Sequence, residues 1–237
     1  MEQSSKPLHC MFNAIPKQYD LINHVITLGM DTGWRKKAAL TCLRTHPARI
    51  LDICCGTGDL SITLARLADY KPEITGMDFS REMLDIAEKK TPTAAPGSNI
   101  KFIEADVSSL PFLDNHFDCI GISFAFRNLT YKNPKTADYL REVLRVLKPG
   151  GQFVIVESSQ PESVLIKFFF RLYLRWFVFP VGYVISGNKG AYKYLAESAE
   201  RFYSAEEIQD FLTKTGFKQA LARRLFFGAS AIYTAIK

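Results

Sequence analysis

The sequence has no C-x-x-C pair, and its cysteines are odd in number, five in 237 residues. Cys10, Cys42, Cys54, Cys55 and Cys119 therefore suggest neither a disulfide framework nor a zinc site. Free thiols of this kind fit a reducing compartment. His9, His24, His46 and His116 fall in no ligand spacing, so no metal is expected. Met1 to Pro7 include no apolar core of a leader, and no secretory signal is expected. Internal repeats and low-complexity tracts are also missing.

What remains is an apolar, basic chain with 47% hydrophobic residues, a formal net charge of +6 and a pI near 9.0. That apolar content is ample for a core at this length. The charge suits an anionic partner such as a membrane or a nucleic acid, and it suits a merely basic enzyme equally well. We read one domain over 1–237, with an N-terminal helical segment (1–47) and a helical, membrane-facing cap insertion (158–202).

The stretch Arg49 to Asp59 organises the rest. An apolar run (Ile50, Leu51, Ile53) passes through Asp52 into small residues and the turn Gly56-Thr57-Gly58. Leu60, Ile62, Leu64 and Leu67 then follow at helical spacing. Strand, glycine turn and helix in this order hold nucleotide-like ligands in doubly wound sheets. Further strands are expected at Glu73–Asp78, Ile100–Ala105, Phe117–Ser123 and Phe153–Glu157. Ser80 is a plausible cap for the helix of Met83, Leu84 and Ala87. Thr91 to Asn99 reads as a loop, and Lys148 to Gly151 as the stop of the helix carrying Leu140, Val143, Leu144 and Leu147. A capping box at Ser204 starts a late helix, and two β-like runs around Phe217–Phe226 and Ala229–Ile236 form an edge hairpin. The expected fold is α/β, a doubly wound, Rossmann-like, seven-stranded and mostly parallel sheet with N-terminal helices and a helical apolar cap.

Glu162 to Gly187 breaks the rhythm. Its aromatic and aliphatic runs are interrupted by Lys167, Arg171 and Arg175, which recur every fourth residue and share one helical stripe. Pro180 is expected to end the helix, so that about sixteen residues span ~24 Å, short of a ~30 Å bilayer core. Two readings stay open: an interfacial helix facing lipid, or a buried cap helix whose cations snorkel.

The cofactor follows from the carboxylates. Asp78 ends the second strand where such folds place a carboxylate on a ribose. The dinucleotide fingerprint nevertheless fails at its third glycine, which is Ser61, and Asp59 occupies the position of a bound anion. The pattern Asp52-x-Cys54-x-Gly56-x-Gly58 suits a class I S-adenosylmethionine methyltransferase better, because a sulfonium cofactor has no pyrophosphate. Asp78 and Asp106 could also simply cap the segments that follow them. No N-P-P-Y-like motif points to nucleic-acid methylation, and no nucleic acid is expected as a partner.

Over nearly its whole length the chain resembles the ubiquinone/menaquinone biosynthesis C-methyltransferases. The resemblance rests on Tyr19 to Asn23, Gly29, Trp34-Arg35, Gly56 to Leu60, Leu110-Pro111-Phe112, Arg127-Asn128, Arg145 to Glu157 with Ser159, and Tyr194 to Ser198. It implies that Asp52, Gly56 and Gly58 frame the cofactor loop and Thr57 bonds the methionine portion. Asp78 would bond the ribose, Asp106 and Val107 the adenine end, and Ser123 would lie beside the sulfonium. The chain departs from the family at Ile22, Thr27 and Asp31, where Met, Ser and His are usual. It departs again at Cys54-Cys55, which replace smaller residues, and a β-carbon at Cys55 is expected to disturb the loop.

The implied reaction methylates a ring carbon of a polyprenylated quinol, 2-demethylmenaquinol in the first instance and a methoxy-benzoquinol in the second. Arg127 is the candidate for stabilising a phenolate-like charge, with a surface ion pair as its alternative role. Tyr19 and Asn128 are candidates for the same cavity. The expected location is cytoplasmic, on the inner face of an anionic membrane. The sequence leaves monomer and homo-oligomer both open, and a non-catalytic cofactor-binding module is the remote alternative.

Overall fold

A computed structural model describes residues 16–237, with side chains from Asp20 onward; the position of Cys10 and the side chain of Tyr19 lie outside what is described. The elements in chain order are α1 (Pro16–Ile26), α2 (Met30–Leu43), β1 (Arg49–Ile53), α3 (Asp59–Leu67), β2 (Glu73–Asp78), α4 (Arg81–Ala94), β3 (Ile100–Glu104) and β4 (Phe117–Ser123). Then come α5 (Phe126–Thr130), α6 (Thr136–Val146), β5 (Leu147–Ser158), α7 (Val164–Tyr173), a π-helical turn (Leu174–Val178), α8 (Phe179–Ser186), α9 (Lys189–Glu200), α10 (Ala205–Thr215), β6 (Gln219–Leu225) and β7 (Ser230–Ile236).

The strands form one sheet in the order β3-β2-β1-β4-β5-β7-β6. The first five are parallel, and β7 runs antiparallel between β5 and β6. Helices cover both faces, as the near-continuous apolar strands require. Along β5, Phe153 and Ile155 enter the core under α6 and α10, while Val154 and Val156 enter the core under α2 and α3. This period of two continues in β1, where Leu51 and Ile53 face one core and Ile50 the other. Beside β1 the chain winds outward in two directions, to β2 and to β4, and so opens a crevice at the strand ends.

Three expectations are corrected. Helix α4 runs on to Ala94 through Pro92, because a proline in the last turn leaves the following bond intact, Ala95 N–H donating to Thr91 at 2.8 Å. Helix α6 ends at Val146, so Leu147 is not its last apolar residue but opens β5, to which Lys148-Pro149-Gly150-Gly151 also belong. Pro149 favours extended backbone at the residue before it. Pro180 does not end the apolar helix. The π-helical turn lies just ahead of it, Phe179 remains helical at φ −63, and the helix continues to Ser186. Proline is tolerated in a first turn because that N–H has no helical partner there, and a π turn takes up the mismatch upstream.

The helices from 164 to 200 pack with α1 into a third core around Ile22, Leu174, Val178 and Tyr192. Gly182 makes this packing close, since a β-carbon there would lie 2.1 Å from the Tyr192 ring. The opposite side of α7 is bare. Val164, Leu165, Phe168 and Phe169 are exposed, and Trp176 beyond them is 75% exposed. Among the described residues no helix is long and apolar enough to cross a membrane.

Candidate active site

The loop after β1 folds around two carboxylates. Asp52 is fully buried, and its Oδ2 accepts from the Ser61 N–H (3.0 Å) and hydroxyl (2.7 Å). Ser61 therefore breaks the glycine fingerprint for a reason: its side chain holds Asp52. Burial pushes the Asp52 carboxyl up to about 7, against the opposing pull of the Ser61 bonds and of Arg35. Asp78 accepts from the Gly56 N–H at 2.9 Å and the Ser80 N–H at 3.0 Å, so it both ties down the glycine turn and leads into α4. The turn itself needs left-handed backbone at Gly56 (φ 54) and Gly58 (φ 79). A β-carbon on Gly58 would also lie 2.9 Å from the Ala87 methyl.

The strained residue of the loop is Cys54 (φ 52) rather than Cys55, whose N–H is bonded to the Met77 carbonyl at 2.9 Å. Burial pushes both thiols well above the usual range, which keeps them protonated, and Cys54 packs against the main core.

Asp52, Gly56, Thr57 and Ser123 line a single crevice together with Asp20, Arg35 and Phe124. Asp106 lies outside this lining, exposed after β3 with the Ser108 N–H on its Oδ1 at 2.7 Å, and Val107 is buried in the core. Thr57 is buried and donates to Asp20 of α1 at 2.6 Å. Lys90 bonds both Asp20 (3.0 Å) and Asp59, and Arg35 reaches Asp59 at 3.2 Å and Asp31 at 3.3 Å. Asp31 also accepts from the Thr27 hydroxyl at 3.0 Å. The departures at Thr27 and Asp31 thus belong to one ionic web around the crevice. The crevice holds about 30 Å³.

Three buried polar atoms of the crevice have no partner among the described residues: Asp52 Oδ1, Ser123 Oγ and Arg35 Nε. Such atoms are costly in a native protein unless something else meets them. Two acceptors and a guanidinium donor fit the ammonium and carboxylate of a methionine moiety.

A second, larger cavity of about 410 Å³ adjoins the first, with Asn23 and Phe124 lining both. Its walls are almost wholly apolar, from α1, α7, α9 and the turn between β6 and β7. Its polar end is Arg127, with Asn128, Glu157 and Ser158. Arg127 is buried rather than a surface residue. Its Nη1 donates to Ser158 Oγ at 2.7 Å and to the fully buried Glu157 at 3.4 Å, while its Nε is buried without a partner among the described residues.

Sequence reasoning gave no part to Glu157, Lys90 or Asp20. Glu157 and Asp20 stood inside segments that carried the family resemblance. Lys90 had no signal at all, because Lys89-Lys90 on an amphipathic helix looks like a solvated face.

A doubly wound sheet with a carboxylate-framed glycine turn at its switch point defines a class I methyltransferase dependent on S-adenosylmethionine. Solved structures agree on the fold. A methyltransferase of this type from Methanococcus maripaludis superposes with a TM-score of 0.62 at 23% identity, covering 94% of this chain and 91% of that one. Another, from Thermotoga maritima, gives 0.63 at 21% identity, covering 95% and 97%. Within that class the chain belongs to the ubiE/COQ5 methyltransferase family, whose model matches residues 1–237. Relatives named demethylmenaquinone methyltransferase include that of Deinococcus radiodurans, 40% identical over 96% of this chain and 91% of its own. That of Thermus thermophilus is 39% identical over 94% and 98%.

Proposed function

We propose that this methyltransferase acts on a polyprenylated 2-demethylmenaquinol. The observation that carries the reading is the apolar cavity of about 410 Å³ that shares Phe124 with the cofactor crevice and ends at Arg127. A greasy tail needs such walls, and a quinol ring needs one buried cationic donor. The names of the relatives from Deinococcus and Thermus favour the naphthoquinol over the benzoquinol acceptor.

S-adenosylmethionine, when bound, supplies a sulfonium methyl for a ring carbon of the quinol. Thr57, Asp52 and Ser123 would hold its methionine side, Asp78 the ribose, and Asp106 with Val107 the adenine end. Gly56 and Gly58 give these groups their backbone. Arg127, at the polar end of the cavity, would set its fixed positive charge against the quinol oxygen, where it favours the ionised, nucleophilic form of the ring. Glu157 and Ser158 fix the guanidinium, so little reorganisation accompanies the charge. Asn128 lines the same end, and Tyr19, on α1, is assigned there from the family pattern alone. The apolar walls exclude water.

The protein would meet its substrate as a peripheral protein on the cytoplasmic face of an anionic membrane, through the bare side of α7 and its flanking cations. Label from methyl-labelled S-adenosylmethionine should appear on a ring carbon of a demethylmenaquinol analogue. Absence of label with both naphthoquinol and benzoquinol analogues would overturn the assignment.

A further inference from the structure

We propose that the turn between β6 and β7 is a second membrane-inserting element, with Phe227 entering the acyl region of an anionic bilayer at the mouth of the acceptor cavity. The inference rests on the quinol reading above and concerns a segment to which the sequence assigned nothing beyond a hairpin connection.

The turn is built against the usual rules. Phe226 (φ 43) and Phe227 (φ 54) both adopt left-handed backbone, followed by Gly228 (φ 88). Two consecutive bulky residues in that region are strained, and such strain persists where it positions side chains for use. The turn packs closely on the chain before α7, since a β-carbon on Gly228 would lie 3.2 Å from the Pro161 backbone. The strain leaves Phe227 75% exposed and Phe226 49% exposed, an arrangement that water penalises.

The position of the turn names the occupant. Phe124 borders the cofactor crevice, and its ring lies 6.3 Å from Trp34; Trp34 is 6.2 Å from Phe226, and Phe226 is 5.7 Å from Phe227. An aromatic wall thus runs from the crevice to the exposed turn. Across the same cavity stand Phe169 and Phe170 of α7. The turn and α7 therefore flank one opening, and both present bare apolar rings there. Lys167 in α7, Arg175 in the π-helical turn and Arg223 in β6 make no ion pair among the described residues. Exposed apolar rings on elements that carry unpaired cations, in a chain of net charge +6, complement an anionic lipid surface, the medium in which a polyprenylated quinol dissolves.

The test uses the full chain and vesicles of phosphatidylglycerol mixed with phosphatidylcholine. Phe227→Ser should lower vesicle partitioning about tenfold or more, the scale expected for one inserted phenyl ring. Its S-adenosylmethionine Kd should stay at the native value, which shows that the variant is folded. Over the Trp176→Phe parent, whose emission comes from Trp34, Phe227→Trp should add fluorescence that is blue-shifted and quenched by brominated lipid. Native partitioning by Phe227→Ser, together with an unquenched introduced tryptophan, would overturn the proposal. So would a native dimer that Phe227→Ser splits, because a second copy would then cover the turn. A turn covered by residues 1–15 would show as vesicle binding that rises on their removal, and that too overturns it. If vesicle binding depends on Phe227 but no quinol is methylated, the membrane element stands and the acceptor assignment fails.

Discussion

Thr57, in the cofactor loop, donates its hydroxyl to Asp20 of the N-terminal helix at 2.6 Å, and Lys90 clamps the pair from α4. The loop is thus closed by a helix 37 positions earlier in the chain. Lys90→Met removes the cation from Asp20 and Asp59 without removing the stem that packs beneath them. Each such ion pair contributes up to about 1 kcal/mol at this exposure. We expect faster amide exchange over Pro16–Ile26 and faster cofactor association. Unchanged exchange would show that the clamp does not hold the helix.

Asp52 makes stability depend on pH. Its folded pKa, near 7, lies above its unfolded value, chiefly through burial. A carboxyl raised in this way stabilises the fold fully below the unfolded pKa, and the contribution is lost as pH rises through 7. Asp52→Asn should therefore gain relative to the native protein between pH 4 and pH 8, by on the order of 4 kcal/mol at the upper limit. Urea melts across that range would reveal the crossing. A constant difference would mean that Asp52 is ionised throughout.

Ser61→Gly restores the third glycine of the dinucleotide fingerprint and should weaken the protein. It deletes the 2.7 Å hydroxyl bond to a buried carboxylate, a loss of about 1.5–3 kcal/mol, to which a glycine in the first turns of a helix adds up to ~1 kcal/mol. The denaturant midpoint measures the effect. A midpoint at or above that of the native protein would remove Ser61 from the account of Asp52.

Much of this architecture was legible because it is local. The strands Glu73–Asp78 and Phe117–Ser123 follow from short apolar runs between turn residues, and the caps at Ser80 and Ser204 follow from side chains that bond the next turn. Asp52, Gly56, Thr57 and Ser123 do meet in one crevice, because each sits at the end of a strand or in the turn after it. The pairings across the fold were not legible. Lys90 with Asp20 and Arg127 with Glu157 join residues 70 and 30 positions apart, and no periodicity carries that information. Proline misled twice, at Pro92 and at Pro180. Its effect depends on the place in the helix, which the sequence pattern left open.

Gly182 tests the cap. Gly182→Ala would put a β-carbon 2.1 Å from Tyr192 Cδ1 and force α8 away from α9. Overpacking of this kind costs about 1–3 kcal/mol. The sheet is not involved, so the loss should appear as early proteolysis within 164–200 while the strands keep their amide protection. Cooperative loss of both would show that cap and sheet unfold together.

Arg127 is the sharpest test of the acceptor site. Arg127→Lys keeps a positive charge but loses the planar guanidinium whose Nη1 meets Glu157 and Ser158 at the polar end of the cavity. If that guanidinium stabilises charge on the quinol oxygen as the ring reacts, the loss belongs to the transition state. It should then appear as a fall in kcat of about 10²–10³-fold with little change in KM. Ser158→Ala leaves the guanidinium in place and loosens only its support, so a smaller fall is expected. The cofactor Kd, set by the crevice on the far side of Phe124, should not move in either variant. A rise in KM alone would make Arg127 a binding residue for the quinol, and loss of cofactor binding would show that the guanidinium holds the sheet rather than the reaction.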